Sequence, residues 1–271
     1  MSSTALVTVA TVTAPDQAGR ARPSFLAGPY QPARIRELFD ELASTYNCAA
    51  WLSGGLLGWW RRQLAAALPH PAQGPAVVVD LMAGGANLWP ALRRRFGPEL
   101  RVAAVDFSGA MLVRAARHAG GPALTLHRAD ALATPLPTAC ATAVTCAFGL
   151  KTLPVAAYPA LLTEAARLLR PGGELALTEL VLPADGWQRS FLLRYLAVIL
   201  PLLGRLWPAA AAHIALLRYA RSGPNLPALT AALQTAGFER VRQRRLWPGC
   251  AVLVSARKKP ESARKADYPA L

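Results

Sequence analysis

In VVVDLMAGGANLWPAL (Val77–Leu92), three consecutive valines end in an acid, Asp80. Small residues follow (Ala83, Gly84, Gly85, Ala86), and then the start of a helix. An uninterrupted β-branched run suits a strand buried on both faces, as in a parallel sheet. Glycines at the strand-to-helix turn let a ligand approach the backbone, and the helix N-terminus offers free N–H groups. That is the layout of a nucleotide-type site at the carboxyl edge of a doubly wound sheet. The spacing is not GxGxxG, so the ligand expected here is a nucleoside without a pyrophosphate rather than a dinucleotide.

Downstream, the same pattern repeats. Leu88 to Phe96 reads as the first crossover helix, and Arg101 to Val105 as a second strand ending at Asp106. An acid at that tip can hold both hydroxyls of a ribose, although Asp106 and Ser108 also suit the cap of the helix Gly109 to His118. A third strand, Leu124 to Arg128, leads to Asp130 and Ala131; an Asp there can accept from an exocyclic adenine amine. A fourth strand, Ala143 to Ala147, opens into Phe148-Gly149-Leu150-Lys151-Thr152. The helix Ala156 to Leu169 stops at Arg170-Pro171-Gly172-Gly173, and a fifth strand runs from Glu174 to Leu180. Trp187 to about Ala220 is a very apolar helical insertion with dispersed arginines. Helix Leu226 to Ala236 then precedes two strands, Phe238 to Arg244 and Ala251 to Ala256, joined at Trp247-Pro248-Gly249 as an antiparallel edge pair. The expected fold is α/β: a doubly wound, seven-stranded, mostly parallel sheet with an N-terminal helical cap.

Upstream, Ile35, Leu38, Phe39 and Leu42 carry helical spacing, and a second helix runs from Gly58 to near Pro69. These two form the cap (residues 31–70) over the first strand's carboxyl end. Tyr46, between them, is either core or a site residue. Residues 1–30, rich in Thr, Ala, Pro and Gly, read as a flexible leader. Residues 31–256 read as one domain carrying the insertion at 187–221, and residues 257–271 as a basic tail.

The chain has 271 residues, enough for one sizeable α/β domain. Thirty Lys plus Arg against 15 Asp plus Glu give a net charge of +15. Such charge suits an anionic membrane surface or nucleic acid, and equally an Ala-, Arg- and Pro-rich base composition. No aromatic-interleaved basic patch or zinc module supports nucleic acid, so none is expected as a partner. The four cysteines and four histidines show no metal-site spacing; reduced thiols in a cytoplasmic protein are expected, with no metal. No signal peptide is read at the N-terminus, and the longest uncharged run of the insertion, Tyr195 to Gly204, is too short to span a bilayer.

Taken together, LFDELASTYN with LSGGLLGWWRR, VVVDLMAGGAN, VAAVDFSGAML, RADALATPLP, TCAFGLKTLP, LLRPGGELALTELVLP and AGFERVRQRRLWPGCAVLV occur in an order that resembles the class I S-adenosylmethionine (SAM)-dependent methyltransferases. Among these the chain most closely resembles the ubiquinone/menaquinone-biosynthesis C-methyltransferase family, over roughly residues 35 to 257. The resemblance implies SAM as cofactor. It implies Asp80, Ala83, Gly84, Gly85, Asp106, Phe107, Asp130, Ala131 and Ala147 as the residues around it, with Asp106 on the ribose and Asp130 and Ala131 at the adenine. The sequence departs from the family at several points: Met82 and Ala86 replace small or glycine residues, Asn87 replaces Asp, Gly85 replaces Thr, and Lys151-Thr152 replaces Arg-Asn.

Carbon methylation of a phenolic ring needs an electron-rich carbon aimed at the sulfonium methyl, so the protein must hold the ring and stabilise phenolate character. Lys151 is the candidate for that charge, or for the proton acceptor if neutral, with Tyr46 and Glu179 as candidates for orienting the acceptor hydroxyl. The alternative for Lys151 is a solvated surface residue. The apolar insertion suits an isoprenoid tail, with its arginines at lipid headgroups and the protein peripheral at the inner membrane face; a hydrophobic lid or a homodimer contact is the competing reading. Rivals to a quinol C-methyltransferase are a methyltransferase for another small molecule (a specialised metabolite or a phospholipid amine), a non-catalytic SAM-fold binding protein and an RNA methyltransferase.

Overall fold

The computed structural model describes residues 9–10, 32–46, 53–117, 124–183, 186–206 and 223–260. Strands β2 (Val77–Leu81), β3 (Arg101–Asp106), β4 (Leu124–Arg128), β5 (Ala141–Ala147) and β6 (Leu169–Leu180) pair in parallel. The last two strands, β7 (Phe238–Leu246) and β8 (Ala251–Lys258), form the antiparallel edge, β8 lying between β6 and β7. These are the seven strands expected. An eighth, the two-residue β1 (Val9–Ala10), pairs with the outer edge of β4, so this point of the expected leader is structured; sheet order is β1-β4-β3-β2-β5-β6-β8-β7. The open edge of β4 offers unpaired backbone groups, and a short extended dipeptide satisfies some of them.

Helices cover both faces. On one, α2 (Leu56–Ala67), α3 (Trp89–Phe96) and α4 (Gly109–Ala116) bury Trp60, Leu64, Leu92 and Ala115 against Val78 and Ala104. On the other, α5 (Tyr158–Leu168) and α7 (Leu226–Thr235) bury Leu161, Leu162 and Leu233 against Val79 and Val144. Adjacent strand residues point to opposite faces, so a central strand needs apolar side chains throughout. That requirement is met by the near-continuous β2 and β5. The cap helix α1 (Pro32–Leu42) packs Leu42 on Met111 of α4.

The chain departs from the expected elements at two joints. Strand β6 begins directly after α5, at Leu169, and carries Pro171-Gly172-Gly173 inside it, with Gly172 at φ +75° and a register shift opposite Ala141–Ala143. Strand β8 runs on to Lys258 and holds that irregular start: Arg257 Nε donates to Gly172 O at 3.2 Å, and Lys258 Nζ to Leu169 O at 2.8 Å. The first residues of the expected tail are therefore strand. Two short 3-10 turns, Leu150–Thr152 and Val155–Ala157, connect β5 to α5. The insertion begins with α6 (Trp187–Leu206); residues 207–222, expected to continue it, lie outside the described residues, as do most of the leader and the tail beyond residue 260. Among the described residues no helix is long and apolar enough to cross a membrane.

The order of strand addition reverses at β2, whose parallel neighbours are β3 on one side and β5 on the other. The carboxyl ends of β2 and β5 therefore flank the crevice that such sheets use for ligands.

Candidate active site

Asp80 stands opposite Ala104 in the β2–β3 register, and Asp106 lies two residues further along β3. With side chains alternating along a strand, both carboxylates project to the same face of the sheet. Asp106 is 6 % exposed, and each of its oxygens is already used once. Oδ2 accepts from the Gly84 amide at 2.7 Å and Oδ1 from the Ser108 amide at 2.9 Å. Burial pushes its carboxyl up to about 6; the amides of Ser108 and Gly84 oppose the rise, and the negative charge of Asp40 adds to it. Ser108 also caps α4 by accepting from Met111 N, while its hydroxyl donates to Asp40 of α1. The cap is thus tied to the strand tip.

Around Asp106 lies a pocket with roughly 570 Å³ of space, part of it open solvent. It is lined by Met82, Gly84, Phe107, Asp130, Ala131, Leu132, Ala147, Phe148, Gly149 and Leu153, with Phe39 and Tyr46 from the cap and Thr152 from the first 3-10 turn. Of the residues expected around a cofactor, Gly84, Asp106, Phe107, Asp130, Ala131 and Ala147 line this space, and so does Tyr46. Asp80, Ala83, Gly85, Lys151 and Glu179 do not. Each has a different engagement. The Ala83 amide donates to Val105 O at 3.0 Å, inside the β2–β3 junction. A Cβ on Gly85 would lie 2.9 Å from Arg114 Cδ, so the glycine makes room for an arginine rather than for a ligand. Asp80 is 3 % exposed and accepts from Thr145 Oγ1 at 2.7 Å. Burial pushes its carboxyl up to about 7, against the Thr145 hydrogen bond and the charge of Arg61, with Asp106 adding a little.

Lys151 is held in an ion pair beneath the rim. Its ammonium donates to Phe148 O and lies 3.5 Å from Glu179 Oε1, with side chains 8 % and 2 % exposed. Glu179 also accepts from the backbone amides of Lys151 (2.9 Å) and Leu180 (2.8 Å). An ammonium so engaged holds the Phe148–Lys151 turn and is not a solvated surface lysine.

Three residues escaped the sequence reading for different reasons. Met82 and Phe148 adopt positive φ (53° and 63°), which no side-chain pattern announces. A Cβ on Gly149 would fall 2.8 Å from Met82 Cβ, so these two loops meet at van der Waals contact. The third is Arg61 of α2, 8 % exposed, with its guanidinium carbon 5.3 Å from the Phe148 ring centroid. It falls on the inward stripe with Ala65 and Leu68, an apolar spacing that could have revealed it.

A SAM-sized nucleoside fits what is present. A carboxylate oxygen has two lone pairs, so Asp106 keeps one on each oxygen for a ribose diol. Asp130 Oδ1 accepts from Leu132 N at 2.9 Å, leaving the second oxygen for an amine. Ala131, Leu132 and Leu153 supply apolar walls for a flat base.

Comparison with known proteins gives the family. Residues 29–258 match the model of the ubiE/COQ5 methyltransferase family. A demethylmenaquinone methyltransferase of Deinococcus radiodurans is 34 % identical over 221 residues, 80 % of this chain and 89 % of that protein. A 2-phytyl-1,4-naphtoquinone methyltransferase of Thermosynechococcus vestitus is 32 % identical over 226 residues, 83 % of this chain and 99 % of that one. Among solved structures, the putative methyltransferase in complex with the Haloferax volcanii Trm112 activator superposes with a TM-score of 0.58 at 17 % identity, covering 83 % of this chain and 97 % of that chain, a likeness of fold. The chain is a SAM-dependent methyltransferase and belongs to the ubiE/COQ5 methyltransferase family.

Proposed function

We propose that the enzyme methylates a ring carbon of an isoprenoid-tailed quinol in quinone biosynthesis. The observation that carries this reading is the pocket behind Asp106, apolar around a few polar groups, in a chain whose relatives are named for demethylmenaquinone and 2-phytyl-1,4-naphtoquinone. Bound there, SAM supplies an electrophilic methyl on a sulfonium. Asp106 holds the ribose, Asp130 and Ala131 flank the adenine, and the Gly84 turn admits the ribose and methionine. Tyr46, at the cap side of the pocket, orients the acceptor hydroxyl. Lys151 and Glu179 act as positioning residues: they hold the Phe148 turn against which the ring and the methyl donor are aligned. Ring-carbon attack on that methyl would leave the carbon–sulfur electron pair on sulfur, and the ring would regain aromaticity by releasing the proton of the methylated carbon to water.

The acceptor's tail requires access from a bilayer, and α6 suits that task. Trp187, Phe191, Val198 and Leu202, at spacings of four, seven and four residues, are 73 %, 63 %, 59 % and 50 % exposed and share one stripe with the exposed Arg194 and Arg205. An interfacial helix carries this combination: apolar side chains for the acyl boundary and arginines for anionic headgroups. We infer that the enzyme docks peripherally through this face; a homodimer contact through it is the competing arrangement.

The reaction is tested by incubating the purified enzyme with SAM and a short-tailed demethylmenaquinol. A ring-localised mass gain of one methylene is expected. Methyl transfer to oxygen, or none with a cofactor-loaded enzyme, overturns the reading.

A further inference from the structure

The turn between β7 and β8 exposes a side chain that the packing of the fold does not use. Trp247 is 71 % exposed, yet its backbone is pinned. Leu246 and Cys250 are buried on either side, and the Gly249 amide closes the turn on Leu246 O at 2.7 Å. The Trp247 carbonyl accepts from Trp60 Nε1 of α2 at 2.9 Å. A backbone held this firmly presents the indole outward with little further loss of conformational freedom on binding. Lone apolar side chains are common on protein surfaces, so exposure by itself carries nothing. The place and the neighbours of Trp247 carry more.

Ala147 of β5 stands opposite Thr178 of β6, and Leu180 of β6 stands opposite Ala251 of β8. The turn therefore extends past the carboxyl ends of β5 and β6, the rim where Ala147 and Phe148 line the pocket. Trp60 links the turn to that pocket: its ring centroid lies 6.1 Å from that of Phe148. Helix α6 follows β6 at the same rim, and its Leu192 packs against the cluster that holds Leu246 and Cys250. Two exposed cations flank the turn. Arg244 Nη2 donates to Gln63 Oε1 at 3.1 Å and Arg245 Nη1 to Gly249 O at 3.3 Å, which leaves most of each guanidinium's donors for other groups. Charges along β7 also protect an edge strand from unwanted pairing. That use explains neither the indole nor its position beyond the strand ends.

An indole beside guanidinium groups matches the headgroup region of an anionic bilayer, where the ring lies at the interface and the cations meet phosphates. An acidic protein surface would answer the arginines and leave the indole unexplained; a second copy would set like charges against each other. We propose that the β7–β8 turn is a second lipid anchor, with Trp247 in the interface and Arg244 and Arg245 on anionic headgroups. Together with α6 it gives two footholds on one rim. The pocket is then held toward the membrane rather than free to roll about a single helix. The anchor rests on the peripheral docking inferred above and adds a separate contact to it.

The test is co-sedimentation of the full chain with phosphatidylglycerol-rich vesicles, alongside S-adenosylhomocysteine affinity and melting temperature. Trp247→Ser is expected to weaken vesicle binding by roughly tenfold, as befits one lost interfacial side chain, and Trp247→Phe to recover part of the loss. Trp60 holds a backbone carbonyl, so neither substitution removes that bond, and S-adenosylhomocysteine affinity is expected to stay within about twofold. Arg244→Gln with Arg245→Gln is expected to reduce the preference for phosphatidylglycerol over phosphatidylcholine. Unchanged vesicle binding by Trp247→Ser, where Trp187→Ser with Phe191→Ser loses it, overturns the anchor and leaves α6 standing. A fall in cofactor-analogue affinity or melting temperature in step with vesicle binding overturns it too, as does a dimer that becomes a monomer on gel filtration. If the unmodified protein does not bind vesicles, peripheral docking itself falls and the anchor with it.

Discussion

The Gly84 amide donates to Asp106 Oδ2 at 2.7 Å, so the bend after β2 and the tip of β3 are one hydrogen-bonded unit. A ligand that meets Asp106 meets a carboxylate whose orientation the first turn has already set. Asp106→Ala removes that acceptor and strands two buried amides, those of Gly84 and Ser108. Cofactor affinity is expected to fall at least about tenfold, with stability lower by roughly 1–3 kcal/mol. Calorimetry and denaturant unfolding measure the two effects separately, and an unchanged affinity would show that the ribose lies elsewhere.

The two buried acids also set the pH response. Both titrate near 3.8 when unfolded, against about 7 for Asp80 and about 6 for Asp106 when folded. Between these limits the folded chain retains protons that the unfolded chain has released. These groups therefore stabilise most on the acid side and lose that contribution as pH rises toward 7. The melting temperature of the unliganded protein is expected to drop between about pH 5 and about pH 7.5 from this source. Asp80→Asn should flatten the slope; an identical slope in the variant would remove Asp80 as its origin.

At Gly149 the site's two loops leave no room for a side chain. A Cβ there would stand 2.8 Å from Met82 Cβ and 3.0 Å from Cys146 Sγ, while the φ of −94° suits any residue. Gly149→Ala is thus a purely steric test. An overpacking cost of about 1–3 kcal/mol is expected in chemical denaturation. No loss would mean that Met82 swings aside freely.

Lys151→Met leaves the Glu179 carboxylate buried without its cation. A loss of about 3 kcal/mol is expected, partly recovered by adding Glu179→Gln. If Lys151 positions the acceptor, turnover of the double variant falls further than its SAM affinity. Equal falls in both would confine the pair to a role in folding.

The outward stripe of α6 predicts a lipid dependence. Trp187→Ser with Phe191→Ser should lower binding to phosphatidylglycerol vesicles by at least about tenfold, and added salt should weaken the unmodified protein. Unaltered vesicle binding, together with conversion of a dimer to a monomer on gel filtration, would assign the stripe to a second copy instead.

Much of this was legible before any coordinates. Val77–Val79 and Val144 announced buried parallel strands because a strand covered on both faces tolerates few polar residues. Asp106 and Asp130 stood out because an acid ending an apolar run needs a partner. The setting of Lys151 was not legible: sequence showed a cation after β5 but not Glu179 folding back on it from β6, a tertiary pairing 28 residues apart. Arg61 was passed over because an arginine in WWRRQL looks like the wet side of a helix. The spacing to Ala65 and Leu68 carried its inward direction, and the packing of Trp60 and Leu64 against β2 makes that direction plain. Backbone choices such as the positive φ of Phe148 leave no residue-type signature at all.

Arg114 lies across Gly85 and reaches the cap, donating to Ala43 O at 3.1 Å, while its Nε is buried without a partner among the described residues. Position 85, where the resembling family carries Thr, has therefore exchanged a hydroxyl for a crossbeam. Each change alone carries a cost: Gly85→Thr would force the Arg114 side chain aside, and Arg114→Ala would leave a void over the glycine. Their costs should partly cancel in the double variant, which makes the two positions one steric couple apart from the residues that line the pocket.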